Sequence, residues 1–83
     1  MNTLKNILSP QEQARLHAQD RWYRAFEDEA LRNDCPDAYH EELLRQADEL
    51  DRQRLVTWQE WRDLRIKADR AYLCAVAGRE YEE

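Results

Sequence analysis

The sequence predicts an all-α protein, specifically a single-domain three-helix bundle, and two features of the chain lead to that prediction. Apolar residues recur three and four positions apart along most of the 83 residues, which is the spacing of amphipathic helices. The chain also holds one Gly and two Pro, so turns are few, whereas three Trp and four Tyr supply large side chains for a core. The terminal segments, residues 1–7 and 79–83, are expected to fray.

A first helix is predicted over residues 10–33. Ser9 can cap its first turn, Glu12 completes a capping box, and Pro10 has the fixed backbone angle that suits a first helical position. Pro36 disfavours a helical conformation in the residue before it, so the helix is expected to end just ahead of this proline. This is the clearest break in the chain.

A second helix is predicted over residues 37–54, with one narrow apolar stripe. The stripe consists of Tyr39, Leu43, Ala47 and Leu50. With so few apolar positions, the helix is expected at the edge of the bundle. The stripe continues in phase beyond this helix, so the alternative fold is a long helical hairpin that dimerises. Against that alternative, Thr57 and Glu60 form a second capping box, which favours a turn around residues 54–57.

A third helix is predicted over residues 58–77 and is expected to end at Gly78, a residue suited to the left-handed position after a helix. This helix carries more apolar surface than one packing face needs. One side holds Trp61, Leu64, Ala68, Ala71 and Ala75, and another side holds Trp58, Ile66, Leu73 and Val76. A helix that is apolar on two sides is expected to be buried on two sides.

The second apolar side of this helix is predicted to be a partner-binding patch. In a chain this short, part of the burial is expected to come from another polypeptide, and a homodimer through the third helix is one such arrangement. The competing interpretation is that the patch covers the second helix or the N-terminal segment, residues 4–8. Both interpretations use the same four side chains.

Charge is unevenly distributed along the chain. The second helix is acidic, and its predicted binding face consists of Asp37, Glu41, Glu42, Asp48 and Glu49. Such a face suits docking into a basic groove of another protein. The alternative function is a small DNA-binding regulator whose contacts would be Arg62, Arg65 and Arg70. Asp63 and Asp69 interrupt that basic strip and the net charge of −5 opposes phosphate binding, so nucleic acid is the less favoured partner. Both stretches also fit plain solvated helix faces.

The residues that usually carry chemistry are sparse. His17 and His40 fall in different predicted helices without a partner triad, so each is expected to lie in solvent. Cys35 and Cys74 match no metal-ligand spacing, and one glycine excludes a glycine-rich phosphate loop. No secretory signal or membrane-spanning apolar run is visible. The sequence therefore predicts no catalytic site, no metal, no cofactor and a cytoplasmic location with reduced thiols.

Trp58-x-x-Trp61-Arg62 resembles the Trp-x-x-Tyr-Arg box of some phage tail assembly proteins, over five residues of the 83. The small, acidic and helical character of the chain is also similar to that of proteins encoded by phages and bacterial mobile elements. Many of those proteins bind and block, or scaffold, a host or phage assembly. The resemblance implies binding rather than catalysis and transfers no functional residue. We therefore expect a non-enzymatic protein–protein interaction module, more specifically a small inhibitor or adaptor.

Overall fold

The computed structural model describes residues 8–81, with side chains described through residue 78, and that part of the chain contains four helices and no strand. The helices are α1 (Pro10–Phe26), α2 (Glu29–Asp34), α3 (Pro36–Arg52) and α4 (Trp58–Tyr81). The all-α class predicted from the sequence is confirmed. The frayed ends predicted for residues 1–7 and 82–83 lie outside the described residues.

The single helix predicted over residues 10–33 is wrong, because the chain breaks between α1 and α2. Asp28 caps α2, its side chain accepting a hydrogen bond from the Leu31 amide at 3.1 Å. An aspartate that caps a new helix competes with continuation of the old one. On the other side of the break, the Tyr39 hydroxyl donates to the Phe26 carbonyl at 2.5 Å. That bond satisfies one of the carbonyls that the end of α1 leaves without an intrahelical partner.

The segment between α3 and α4 is a tight turn with defined hydrogen bonds at both ends. Arg54 adopts a left-handed conformation with φ of 60°, and the Leu55 amide donates to the Leu50 carbonyl at 2.9 Å. This is the pattern of a Schellman motif, which satisfies the last carbonyls of a helix. The capping box then starts α4: the Thr57 hydroxyl accepts from the Glu60 amide at 3.1 Å, and the Glu60 carboxylate accepts from the Thr57 amide at 2.8 Å.

The end predicted for the third helix is also wrong, because α4 continues through Gly78 as far as Tyr81. Gly78 does not have a positive φ, and a Cβ at this position would meet nothing within 4 Å. A glycine inside a helix is only about 1 kcal/mol less favourable than an alanine. That difference does not end a helix when no proline or competing cap follows.

The core lies where α3 packs against α1 on one side and α4 on the other, so α3 is central rather than at the edge of the bundle as predicted. The hydrophobic core cluster consists of Ala18, Trp22, Tyr39, Leu43, Ala47, Leu50, Val56, Leu64 and Ala68. Trp22 is fully buried, and its indole N–H donates to the Leu43 carbonyl at 3.0 Å. The stripe of α3 is narrow, but it is buried by two neighbouring helices at once.

Candidate protein-interaction surface

The two sides of α4 differ in what covers them. Leu64 and Ala68 are buried against the core, and Trp61 and Ala71 pack beside them. On the other side of the helix, Trp58 is 62% exposed and Leu73 is 63% exposed, with Ile66 between them also exposed. At about 100° per residue, the exposed side chains point away from α1 and α3. No other described helix covers them.

We call the exposed side the outer row, defined as Trp58, Arg62, Ile66, Asp69 and Leu73. These five positions fall within about 80° of one another around the helix axis and span about 22 Å along it. The row therefore alternates apolar and charged side chains along one line of α4. It includes three of the four residues of the predicted partner-binding patch. Val76, the fourth, follows the row toward the end of the helix and is partly buried.

At the N-terminal end of the outer row, the guanidinium of an arginine lies over the ring of a tryptophan. The Arg62 guanidinium lies 5.4 Å from the centre of the Trp58 ring and 3.6 Å from the Asp63 carboxylate. A cation over an exposed aromatic ring is worth about 0.5–1 kcal/mol. The contact holds a flat apolar surface and a positive charge side by side, in a place where both reach solvent.

The opposite end of the row is held by a contact with α3. His40 Nε2 lies 2.7 Å from Asp69 Oδ1, and the His40 ring is 4.8 Å from the Tyr72 ring. A hydrogen bond with Asp37 raises the pKa of the Tyr72 hydroxyl. Asp69 nevertheless keeps 61% of its side chain exposed. His40, expected in solvent, is instead partly buried and fixes the position of Asp69.

The five carboxylates of the predicted acidic face do not lie on one face of α3. Glu42 pairs with Arg45, and Glu49 pairs with Arg52, along one side of the helix. Hydrogen bonds from these arginines lower the pKa of each glutamate. The other three, Asp37, Glu41 and Asp48, lie about a quarter-turn or more away.

Asp48 is engaged by α4, although 59% of its side chain stays exposed. Its carboxylate accepts from the Trp61 indole N–H at 3.0 Å and from Arg65 at 3.1 Å. The Arg65 guanidinium also stacks over the Trp61 ring, 5.0 Å from its centre. These contacts join α3 to the inner side of α4. The acidic face predicted from the sequence is therefore divided by arginines and by the α4 interface.

The three arginines proposed for nucleic-acid contact point in different directions. Arg65 is held against α3, Arg62 belongs to the outer row, and Arg70 lies on the other side of that row. Asp63 and Asp69 stand between them on the helix surface. A phosphate-binding strip needs adjacent cations without intervening carboxylates. The helix does not bring these arginines together.

The other side chains that could react or bind a metal are scattered. Cys35 and Cys74 are exposed free thiols, not bridged to each other. Across residues 8–81, no three or more His, Cys, Asp or Glu side chains gather as a metal site would require. Within the same residues, none of the helices combines the length and the apolar character that crossing a membrane takes.

Comparisons of the chain with protein-family models, with curated proteins and with solved structures find no match. The functional conclusion therefore depends on the chain's own residues. The most distinctive arrangement that they form is the outer row.

Proposed function

We propose that this protein is a non-enzymatic interaction module that docks onto another polypeptide through the outer row of α4. The observation that supports this most strongly is the exposure of Trp58 and Leu73 on the same line of one helix. Burial of the exposed part of a tryptophan, at about 25 cal/mol per Å² over roughly 120 Å², is worth about 3 kcal/mol. In the folded monomer this part of the Trp58 side chain stays in water, so that free energy is gained only on binding.

The composition of the outer row also suits an interface. Binding free energy in protein interfaces is concentrated in a few residues, among which tryptophan and arginine are enriched. Trp58 and Arg62 stand together at one end of the row, and Leu73 stands at the other. Charged side chains between apolar ones fix the orientation of a partner more than they add affinity. The row therefore supplies anchor residues for affinity and charged residues that orient the partner.

The outer row is a better docking surface than the acidic side chains of α3. Glu42 and Glu49 are each engaged by an arginine three residues further along the helix, and Asp48 is engaged by α4. Asp69 of the outer row is engaged by His40 in the same way, but the row also offers exposed apolar side chains, which these carboxylates do not. We therefore assign docking to α4, and an inhibitor or adaptor role is the kind of activity that such a surface serves.

The test is capture of binding partners from the native cell by photo-crosslinking of three tagged chains. Leu73→Ser removes an anchor of the outer row, and Leu16→Ser is the matched control because Leu16 is an exposed leucine of α1, 51% exposed. We expect the wild type and Leu16→Ser to be crosslinked to the same polypeptides and Leu73→Ser to lose them. Identical crosslinks in all three chains would show that the outer row does not bind.

A further inference from the structure

The outer row has the same chemistry when it is followed in either direction, except that its two charges exchange sign. From the N-terminal end it runs apolar Trp58, basic Arg62, apolar Ile66, acidic Asp69, apolar Leu73. Ile66 stands near the middle, about 12 Å along the axis from Trp58 and about 10 Å from Leu73. Arg62 and Asp69 stand about 6 Å and 4.5 Å from that centre, on opposite sides.

We infer that the polypeptide bound by the outer row is a second copy of this chain, with its α4 antiparallel to the first, an inference that rests on the proposed function. A two-fold axis near Ile66 would place this side chain against Ile66 of the second copy. Arg62 would then face Asp69 of the second copy, and Trp58 would face its Leu73. Every contact occurs twice, which is the pattern of an isologous dimer interface.

The charges select the antiparallel arrangement over the parallel one. In a parallel pair Arg62 would face another Arg62, and Asp69 would face another Asp69. Like charges brought together in an interface are strongly unfavourable, and they therefore exclude that arrangement. In the antiparallel pair the same four side chains form two complementary ion pairs.

The charge of the contacting helix opposes this contact less than the net charge of the whole chain would suggest. Each chain carries −5, but residues 58–78 hold four basic and three acidic residues, so this part of α4 has a net charge of 4 − 3 = +1. Two α4 helices can therefore approach with little repulsion. The two charged residues of the row are also held in place before contact, Arg62 by the Trp58 ring and Asp69 by His40.

The experiment is a charge exchange followed by sedimentation velocity of the purified full chain over a wide concentration range. Arg62→Asp alone and Asp69→Arg alone each create two like-charge contacts in the antiparallel dimer, and we expect each to weaken dimerisation about tenfold or more. The double variant Arg62→Asp/Asp69→Arg restores both contacts in reversed order. We expect its dissociation constant to return to within about threefold of the wild type.

Two results would overturn the inference. One is a wild-type chain that stays monomeric throughout the concentration range. The proposed docking on another polypeptide would then still be tested by the photo-crosslinking of Leu73→Ser. The other is a dimer that the double variant fails to restore, although circular dichroism shows it folded. That result would reject the antiparallel register while leaving self-association in place.

A second measurement covers the case in which a charge variant does not fold. Ile66→Cys, in a chain that also carries Cys35→Ser and Cys74→Ser, places one thiol near the two-fold axis. A short bismaleimide should then link two copies, whereas Leu16→Cys in the same background should give no linked dimer. Equal linkage from both positions would contradict the proposed contact.

Discussion

The inner side of α4 and its outer row belong to the same helix and contain similar apolar residues, but only one of them is covered. Leu64 and Ala68 are buried because α3 presents its single apolar stripe to them. Ile66 and Leu73 stay exposed because that stripe has no second counterpart among the described helices. Apolar content therefore decides how much surface a helix could bury. The neighbouring elements decide how much it does bury.

The largest expected difference between the two sides is in the stability of the folded chain. Leu64→Ala should lower the free energy of unfolding by about 3 kcal/mol, because it removes a buried side chain and leaves a cavity. Leu73→Ala should change it by no more than about 0.5 kcal/mol, because the side chain is already in solvent. Urea denaturation at low protein concentration, where dimerisation contributes little, measures both values. A similar loss of unfolding free energy in both variants would mean that the outer row is part of the core.

A smaller effect is expected at the turn that brings the inner side of α4 against α3. Thr57→Ala removes the hydroxyl that accepts from the Glu60 amide, and loss of such a cap costs about 1 kcal/mol. Gln59→Ala is the control, because it changes an exposed position in the same first turn. We expect the urea midpoint to fall only for Thr57→Ala. An unchanged midpoint would show that α4 starts independently of its capping box.

The smallest effect is a pH dependence centred on Glu60, which lies on the inner side of α4. A hydrogen bond from the Thr57 amide, with the Arg15 guanidinium adding to it, lowers the pKa of Glu60 below its ordinary value of 4.5. A carboxylate with a lowered pKa in the folded state stabilises the fold above that ordinary value. The stabilisation is lost as the pH falls through the lowered pKa.

Urea denaturation at pH 7 and at successively lower pH values tests this dependence. Glu60→Gln keeps a side-chain oxygen that can accept from the Thr57 amide, but it has no charge that protonation could remove. We expect the wild type to lose more stability than Glu60→Gln between neutral pH and pH values well below 4.5, by a fraction of a kcal/mol for so exposed a group. Parallel losses in the two chains would assign the acid sensitivity to other carboxylates.

The parts of the fold that sequence reasoning found depend on residues close together in the chain. The capping boxes at Ser9 and Thr57 each involve a partner three residues away. The break after Phe26 depends instead on Tyr39, thirteen residues further on. Asp28 is only a weak local signal for the break, because an aspartate four residues before Arg32 suits an ion pair in a continuous helix equally well.

The same distinction holds for the candidate site. The apolar members of the outer row could be predicted because helical periodicity places them on one side of α4. The role of Asp69 could not, because the contact that fixes it comes from His40 on another helix. For the predicted acidic face of α3, periodicity alone already separates neighbouring carboxylates, because Glu41 and Glu42 point about 100° apart on a helix.

The concentration dependence of sedimentation, measured for three chains, separates binding by the outer row from folding by the inner side of α4. The wild type and Leu16→Ser should associate with the same dissociation constant. Leu73→Ser should remain monomeric at the same concentrations and keep the wild-type free energy of unfolding as a monomer. Association that is equally strong in all three chains would contradict that separation.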